Sequence, residues 1–230
     1  MLIPSIDLMG GKIVQLVQGE KKAREFDDFD YWIERFSPYP TVQLIDLDAA
    51  MQQGDNRELV ARTAARLPCQ VGGGIRSVEA AQSMLSAGAR RVIIGSALVR
   101  EGRVNTPFAT ELAGAVGAEK LVFALDSRGG KVAIEGWRTT TELTPFQIIE
   151  ALEPFCGGFL YTHIDTEGLM QGFPRDIVHR LRAATSKNLA VAGGISTLAE
   201  IQELDTLGVN AVVGMAIYTD RLHAPASRPS

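Results

Sequence analysis

Short apolar segments rich in valine, isoleucine and leucine alternate with longer segments of helical period along the whole chain. The apolar segments are hydrophobic on both faces, which is typical of parallel strands covered by helices. We predict eight strands, near 2–7, 42–47, 69–72, 91–94, 121–126, 158–164, 189–192 and 211–213. We predict seven helices between them, near 30–37, 57–66, 78–87, 105–115, 144–154, 175–185 and 197–207. Strict alternation indicates a parallel α/β fold, but a doubly wound open sheet would show it as well.

An internal repeat favours a closed barrel over the open sheet. Three motifs of the first half return in the second: D-x-x-G-G-K begins at Asp7 and at Asp126, D-L-D at Asp46 is matched to D-T-E at Asp165, and G-G-I begins at Gly73 and at Gly193. The offset is 119 residues for the first two motifs and 120 for the third. A period this long indicates a duplicated (βα)4 unit, and two such units close naturally into a (β/α)8 TIM barrel. We expect one barrel over 1–222 and a flexible C-terminal tail over 223–230.

Composition excludes several classes of protein. Of 230 residues, 46% are hydrophobic, and the formal net charge is −4, so neither nucleic acid nor an anionic membrane is an expected partner. The N-terminus has no basic segment and no long apolar stretch, so we expect neither a signal peptide nor a membrane span. Cys69 and Cys156 match no metal-ligand spacing and are expected to be buried thiols in a reducing cytoplasm.

Two aspartates are the first candidates for catalysis. Asp7 and Asp126 each end an apolar strand, and the repeat places them on strands one and five, facing each other across the mouth of the barrel. Opposed carboxylates form a general acid–base pair when their environments separate their pKa values. Thr162, at another strand end, is placed to bind a substrate hydroxyl. The charged run 20–30 is predicted to be a solvated loop, with a mobile lid over the mouth as the functional alternative.

Glycine-rich strand ends predict two phosphate sites. Glycine lets a ligand approach the backbone closely, and helix N-termini present free N–H groups to an anion. The repeat places one site after strands three and four and another after strands seven and eight. The predicted phosphate-binding residues are Gly73, Gly74, Gly95 and Ser96 in the first half, and Gly193, Gly194, Gly214 and Met215 in the second. Two sites on opposite rims imply a substrate with a phosphate at each end, and Trp137 could stack on a heteroaromatic ring in it.

The residues resemble the phosphoribosylformimino-aminoimidazole carboxamide ribotide isomerase family of histidine biosynthesis. The similarity covers nearly the whole chain, and its most telling motifs are Gln18-Gly19, G-G-G-I-R from Gly72, D-S-R-G-G from Asp126, and Gly136-Trp137. The resemblance implies an aldose–ketose isomerase, an intramolecular oxidoreductase that carries out an Amadori rearrangement on a bis-phosphorylated substrate. It implies that no metal and no organic cofactor is needed, and we expect a monomer.

The resemblance also assigns roles to residues. Asp7 would be the general base, with Asp126, Thr162 and Glu167 as its partners, and Arg76, Trp137 and Gln18 would contact the substrate. The general acid is left open between Asp126 and Glu167. The chain departs from the family pattern where Glu167-Gly168-Leu169 replaces an Asp-Gly-Thr sequence, and where Gln15 and Met215 stand at positions that are often basic.

Three alternatives are weighed against this interpretation. The sister cyclase barrel of imidazole glycerol phosphate synthase usually has a Cys-Leu-Asp first strand, which Ser5-Ile6-Asp7 does not match. An isomerase that also acts on phosphoribosylanthranilate would need further arginines near the mouth; Arg24 and Arg138 are candidates, and Glu135 speaks against it. A non-catalytic phosphosugar-binding barrel would keep both phosphate loops but lack a working acid.

Overall fold

Eight parallel strands close into a barrel in the computed structural model, which describes residues 1–222; the predicted tail at 223–230 lies outside the described residues. The barrel strands are β1 (Leu2–Met9), β2 (Val42–Asp46), β3 (Cys69–Gly72), β4 (Arg91–Ile94), β5 (Leu121–Arg128), β6 (Gly158–His163), β7 (Asn188–Ala192) and β8 (Val209–Val213). Each strand pairs with the next in the chain, and β8 pairs with β1. The closed order excludes the open doubly wound sheet and confirms the TIM barrel.

A helix follows each barrel strand and covers the outside. These helices are α1 (Phe29–Phe36), α2 (Arg57–Ala64), α3 (Val78–Ser86), α4 (Thr106–Val116), α5 (Pro145–Leu152), α6 (Arg175–Ala184), α7 (Leu198–Thr206) and α8 (Met215–Tyr218). Every predicted strand and helix lies within two residues of its observed bounds. Side-chain caps begin two of these helices: Ser77 accepts a hydrogen bond from Ala80 N, and Thr144 forms a capping box with Gln147 ahead of Pro145.

The strands separate two apolar layers because successive side chains point to opposite faces. A small cluster fills the inside of the barrel, with Ile93, Val122 and Leu160 among its members. Their neighbours in sequence, such as Phe123 and Phe159, point outward into the larger layer between strands and helices. Both layers are buried, which explains why the barrel strands are apolar on both faces and show no alternation with polar residues.

Two β-hairpins project from the mouth and were not predicted. Lys12–Val17 pairs with β1 and with Lys21–Phe26, and Lys131–Ile134 pairs with β5 and with Thr139–Thr140. The prediction of a loop over 20–30 is therefore wrong, since this run contains a strand and the first two residues of α1. The strand Lys21–Phe26 is exposed on both faces, so it shows no apolar alternation that sequence reading could detect.

Two expectations from composition can be compared with the structure. Cys69 and Cys156 are buried free thiols, as predicted, and burial raises the pKa of each thiol to about 12. Within residues 1–222, no helix is both long enough and apolar enough to cross a membrane.

Candidate active site

A pocket opens at the carboxyl ends of the barrel strands, where the fold brings the loops after all eight strands together. Nearly all the predicted site residues line it: Asp7, Asp126, Glu167, Thr162, Arg76, Trp137, Gly73, Gly74, Gly95, Ser96, Gly193, Gly194, Gly214 and Met215. Gln18 is the predicted residue that does not line this pocket in the described part of the chain. One concave site thus collects residues from both halves of the sequence.

Asp7 enters the pocket from β1. The hydroxyl of Ser5 lies on the same face of the strand, two residues earlier, and donates a hydrogen bond of 3.0 Å to Asp7 Oδ1. Burial raises the pKa of Asp7 from 3.8 to about 6, although the bond from Ser5 acts in the opposite direction. The carboxyl is therefore mostly ionised at neutral pH but basic enough to accept a proton, as a general base must be.

Asp126 lies on β5, opposite β1 in the closed order of strands. The indole Nε1 of Trp137 donates to Asp126 Oδ2 at 2.8 Å, and the hydroxyl of Thr162, its register partner on β6, bonds to it as well. Burial raises the pKa of Asp126, while these two bonds lower it because they stabilise the carboxylate. Trp137 and Thr162 thus favour the charged form of Asp126.

Glu167 lies in the turn after β6 and completes a cluster of three carboxyl groups. Its pKa is raised from 4.5 to about 8, mainly by burial and in addition by the negative charges of Asp7 and Asp126, against a hydrogen bond from the Gly168 backbone. At neutral pH the carboxyl of Glu167 is therefore mainly protonated. Environments that separate the pKa values of neighbouring carboxyls are what an acid–base pair requires.

The two glycine-rich loops have the same backbone conformation in the two halves. Gly73 and Gly193 have φ angles of +103° and +105°, and a Cβ atom on either would lie 2.1 Å from Asp46 O or 2.5 Å from His163 O. Neither position accepts another residue, because both the left-handed φ and the close backbone contact exclude a side chain. Their loops therefore present bare backbone to the pocket on opposite rims.

Basic charge is distributed unequally between these loops. Arg76 follows the first glycine loop and is the one basic side chain that lines the pocket in residues 1–222. Its guanidinium donates to Ala50 O at 2.8 Å and Ala49 O at 3.2 Å, at the end of the short helix Leu47–Met51. In the second half Ser196 stands in its place, and Gln15 is buried with Oε1 facing Gly214. Within residues 1–222, a basic side chain therefore lines the first-half rim of the pocket and none lines the second.

The structure corrects one part of the internal alignment. Asp46 pairs with Leu8 in register, and the equivalent partner of Ser127 is His163. Asp48 Oδ2 accepts from Gly10 N at 2.6 Å, and Asp165 Oδ2 accepts from Gly129 N at 2.9 Å.

The matching of Asp46 and Asp48 with Asp165 and Glu167 is therefore wrong by two residues. Asp48 corresponds to Asp165, and Glu167 corresponds to Ala50. The third carboxylate is present in one half of the barrel only. Each half contains two acids separated by one residue, Asp46 and Asp48 in the first and Asp165 and Glu167 in the second. This shared spacing favoured the wrong alignment of the two halves.

Sequence reading did not single out three residues that support the site. Ser5 bonds Asp7, and it could have been found by alternation, which places residues two apart on one face. Gln43 is buried at the pocket wall and accepts from Gln70 Nε2 at 3.1 Å; a polar residue inside an apolar strand was its signal. Asp165 accepts a hydrogen bond from Gly129 N in the turn after β5, and only this tertiary contact shows its role.

The described residues 1–222 contain no group of three or more His, Cys, Asp or Glu side chains arranged to hold a metal ion. His163 points away from the pocket, as alternation predicts, and its Nδ1 lies 3.1 Å from Tyr161 Oη. The polar groups that line the pocket include the three carboxyls, the backbone of the glycine loops and Arg76.

Comparison with known proteins agrees with this geometry. The profile of a family described as "Histidine biosynthesis protein" matches residues 1–223. The 1-(5-phosphoribosyl)-5-((5-phosphoribosylamino)methylideneamino) imidazole-4-carboxamide isomerase of Thermus thermophilus is 38% identical over 229 residues, which is 96% of this chain and 95% of that protein.

Archaeal proteins of the same name give similar figures. That of Methanocaldococcus jannaschii is 35% identical over 95% of this chain and 93% of its own length, and that of Archaeoglobus fulgidus is 34% identical over 96% and 93%. The chain belongs to the phosphoribosylformimino-aminoimidazole carboxamide ribotide isomerase family of histidine biosynthesis.

Proposed function

We propose that this chain isomerises the bis-phosphorylated formimino-aminoimidazole carboxamide ribotide to its ribulosyl isomer, the Amadori rearrangement for which its relatives are named. One observation carries the proposal: three buried carboxyl groups, of which Asp7 and Glu167 have pKa values of about 6 and about 8, lie between two glycine loops on opposite rims of one pocket. A substrate with a phosphate at each end would be held across the mouth with its sugar above the carboxyls. Such orientation is a large part of catalysis in its own right.

The protonation states suggest a role for each carboxyl. Glu167, protonated at neutral pH, donates a proton to the ribofuranose ring oxygen, and the C1′–oxygen bond breaks to give a Schiff-base cation. Asp7, ionised, then removes the proton from C2′ to give an enolamine, which tautomerises to the aminoketose. No atom is gained or lost, because the substrate is isomerised. Each positioned proton transfer typically contributes ~10²–10⁴-fold to the rate.

Asp126 has a different role in this scheme. Burial raises its pKa, and the hydrogen bonds from Trp137 and Thr162 act in the opposite direction by stabilising the carboxylate. We assign Asp126 to stabilise the Schiff-base cation rather than to donate the proton. Sequence analysis left the general acid open between Asp126 and Glu167, and we propose Glu167. The carboxyl of Glu167 is near enough to both aspartates for their negative charges to raise its pKa.

The alternatives receive less support from the site. An enzyme that also acts on phosphoribosylanthranilate was expected to place Arg24 and Arg138 near the substrate. Arg24 lies in the exposed strand Lys21–Phe26, and Arg138 donates to Met51 O at 3.4 Å; neither lines the pocket in the described residues. A non-catalytic binding barrel would have to lack the acid, whereas Glu167 is present with a raised pKa.

Both phosphate loops and all three carboxyls come from one chain, so one barrel is sufficient, and we propose that it acts as a monomer. Two free buried thiols fit a reducing compartment, and we place the protein in the cytoplasm.

The direct test is turnover of the purified ribotide, with a cyclase and ammonia added to trap the ketose. We expect conversion by the wild-type chain and its loss in Asp7→Asn. Tight binding of the ribotide without conversion, under conditions where an authentic isomerase converts it, would contradict the proposal and leave a binding barrel.

A further inference from the structure

The turn Asp165–Gly168, which carries Glu167, is held between two other loops of the mouth. Gln18, at the end of the β1 hairpin strand Lys12–Val17, donates twice to it: its backbone N to Glu167 O and its side-chain Nε2 to Asp165 O, both at 3.0 Å. From the other side, Gly129 N in the β5 turn donates to Asp165 Oδ2 at 2.9 Å. The loops after β1, β5 and β6 are thereby joined.

We propose that Gln18 and Asp165 are positioning residues that hold the carboxyl of Glu167 beside Asp7 and Asp126. This inference rests on the proposed function, because it concerns the proposed acid of that reaction. Neither residue is placed to touch the substrate, since neither lines the pocket in the described chain. Gln18 therefore acts through Glu167, in contrast to the substrate contact that the family resemblance implied.

The contacts around the turn are close enough to fix its position. A Cβ atom on Gly168 would lie 2.5 Å from Leu16 O and 2.8 Å from Val17 Cα, so the turn packs directly against the backbone of the β1 hairpin. Gln18 itself has a left-handed φ of 52°, an uncommon conformation for a residue other than glycine. In this conformation the backbone N–H and the side-chain amide of Gln18 both donate to the turn, so the local backbone geometry supports these two contacts.

Titratable groups lie close to both acidic residues of this turn, Asp165 and Glu167. Asp165 Oδ2 lies 4.0 Å from His163 Nε2 on the same loop, and Glu167 faces Asp7 from β1 and Asp126 from β5. Two like charges push the Glu167 carboxyl away from the cluster once it ionises. A rigid turn is therefore needed to keep it there.

The first half of the barrel repeats the aspartate contact of this turn, but without a catalytic group. Asp48 accepts from Gly10 N as Asp165 does from Gly129 N, but the residue two positions later is Ala50, not a carboxylic acid. Asp48→Ala is thus a matched control for Asp165→Ala. Both substitutions remove one aspartate from an equivalent turn, and only one of them releases Glu167.

The experiment compares wild type with Gln18→Leu, Asp165→Ala, Asp165→Asn and Asp48→Ala, each first shown to be folded by thermal unfolding. We expect kcat of Asp165→Ala and Gln18→Leu to fall by about 10²-fold, as for a misplacement of a catalytic group by about 1 Å, with KM nearly unchanged. We expect the alkaline limb of the pH–rate profile to move to lower pH in both. Asp165→Asn keeps an oxygen that can accept from Gly129 N and should recover most of the rate.

The control and a second measurement separate this inference from the proposed function. Asp48→Ala should lower Tm and leave the alkaline limb where it is in wild type. The titration of the Glu167 carboxyl is also followed by its ¹³C chemical shift, which is assigned by its absence in Glu167→Gln. The midpoint of this titration should drop in Asp165→Ala, even if no turnover is seen in any variant. An unchanged midpoint and limb in Asp165→Ala and Gln18→Leu would overturn the inference, and so would a raised KM with unchanged kcat in Gln18→Leu.

Discussion

Burial and the negative charge of Asp7 together raise the pKa of Glu167, so that the two carboxyls favour opposite protonation states at neutral pH. Asp7 titrates near pH 6 and Glu167 near pH 8, and the proposed chemistry needs the first ionised and the second protonated.

We therefore predict a bell-shaped dependence of kcat/KM on pH, with limbs near 6 and 8. Activity rises as Asp7 loses its proton and falls as Glu167 loses its own. Glu167→Gln should lower kcat by about 10²–10⁴-fold and remove the alkaline limb, while Asp7→Asn should remove the acid limb. Steady-state kinetics from pH 5 to 9 tests this, and an alkaline limb retained in Glu167→Gln would assign the acid elsewhere.

The free energy of unfolding should depend on the protonation of Glu167. Between pH 4.5 and about 8, Glu167 is ionised in the unfolded chain but protonated in the folded one, so the folded state binds more protons and the free energy of unfolding falls as pH rises. One such group contributes a slope of at most about 1.4 kcal/mol per pH unit.

Glu167→Gln removes this penalty, so we predict that its Tm advantage over wild type grows from pH 5 to pH 8 and then levels off. Differential scanning calorimetry across this range is the measurement. The same Tm difference at both ends would show that Glu167 is ionised in the folded chain.

Trp137 is predicted to act on Asp126 as well as on the substrate ring. Trp137→Phe keeps an aromatic face but loses the 2.8 Å bond from Nε1 to Asp126 Oδ2, and a hydrogen bond to a charged group contributes about 1.5–3 kcal/mol. We expect kcat to fall by roughly tenfold or more on that basis, with KM little changed. Trp137→Ala should raise KM in addition, because the ring is gone. If Phe and wild type have equal kcat, the indole N–H has no part in the reaction.

Arg76 is predicted to give the first phosphate loop the higher affinity. Arg76→Ala should raise KM by about 10-fold to 100-fold, the loss expected for a charge-assisted hydrogen bond, with a smaller change in kcat. Ser196→Ala is the control, since Ser196 occupies the equivalent position of the second half, and its hydroxyl bonds Met170 O. Equal KM values for both variants would mean that the two rims bind phosphate equally.

The sequence by itself determined the fold and most of the site. The 119-residue offset between the Asp7 and Asp126 motifs required two similar halves, and apolar strands covered by helices left a barrel as the natural closure. The carboxyl ends of the parallel strands all lie at one end of the barrel, so residues that follow the strands come together there. This is why nearly all the predicted residues line a single pocket. These features depend on local periodicity and chain topology, which a sequence records directly.

Only the tertiary structure decided what depends on contact between distant loops. The exposed strand Lys21–Phe26 is defined by its pairing, not by its own pattern. The equivalence of Asp48 with Asp165 appears in the strand register and in the hydrogen bonds to Gly10 and Gly129.

The pKa of Glu167, and with it the proposed choice of acid, follows from burial and from the charges of Asp7 and Asp126, which lie more than 40 residues away along the chain. Desolvation and Coulomb interactions act through space, and no spacing in the sequence encodes their strength.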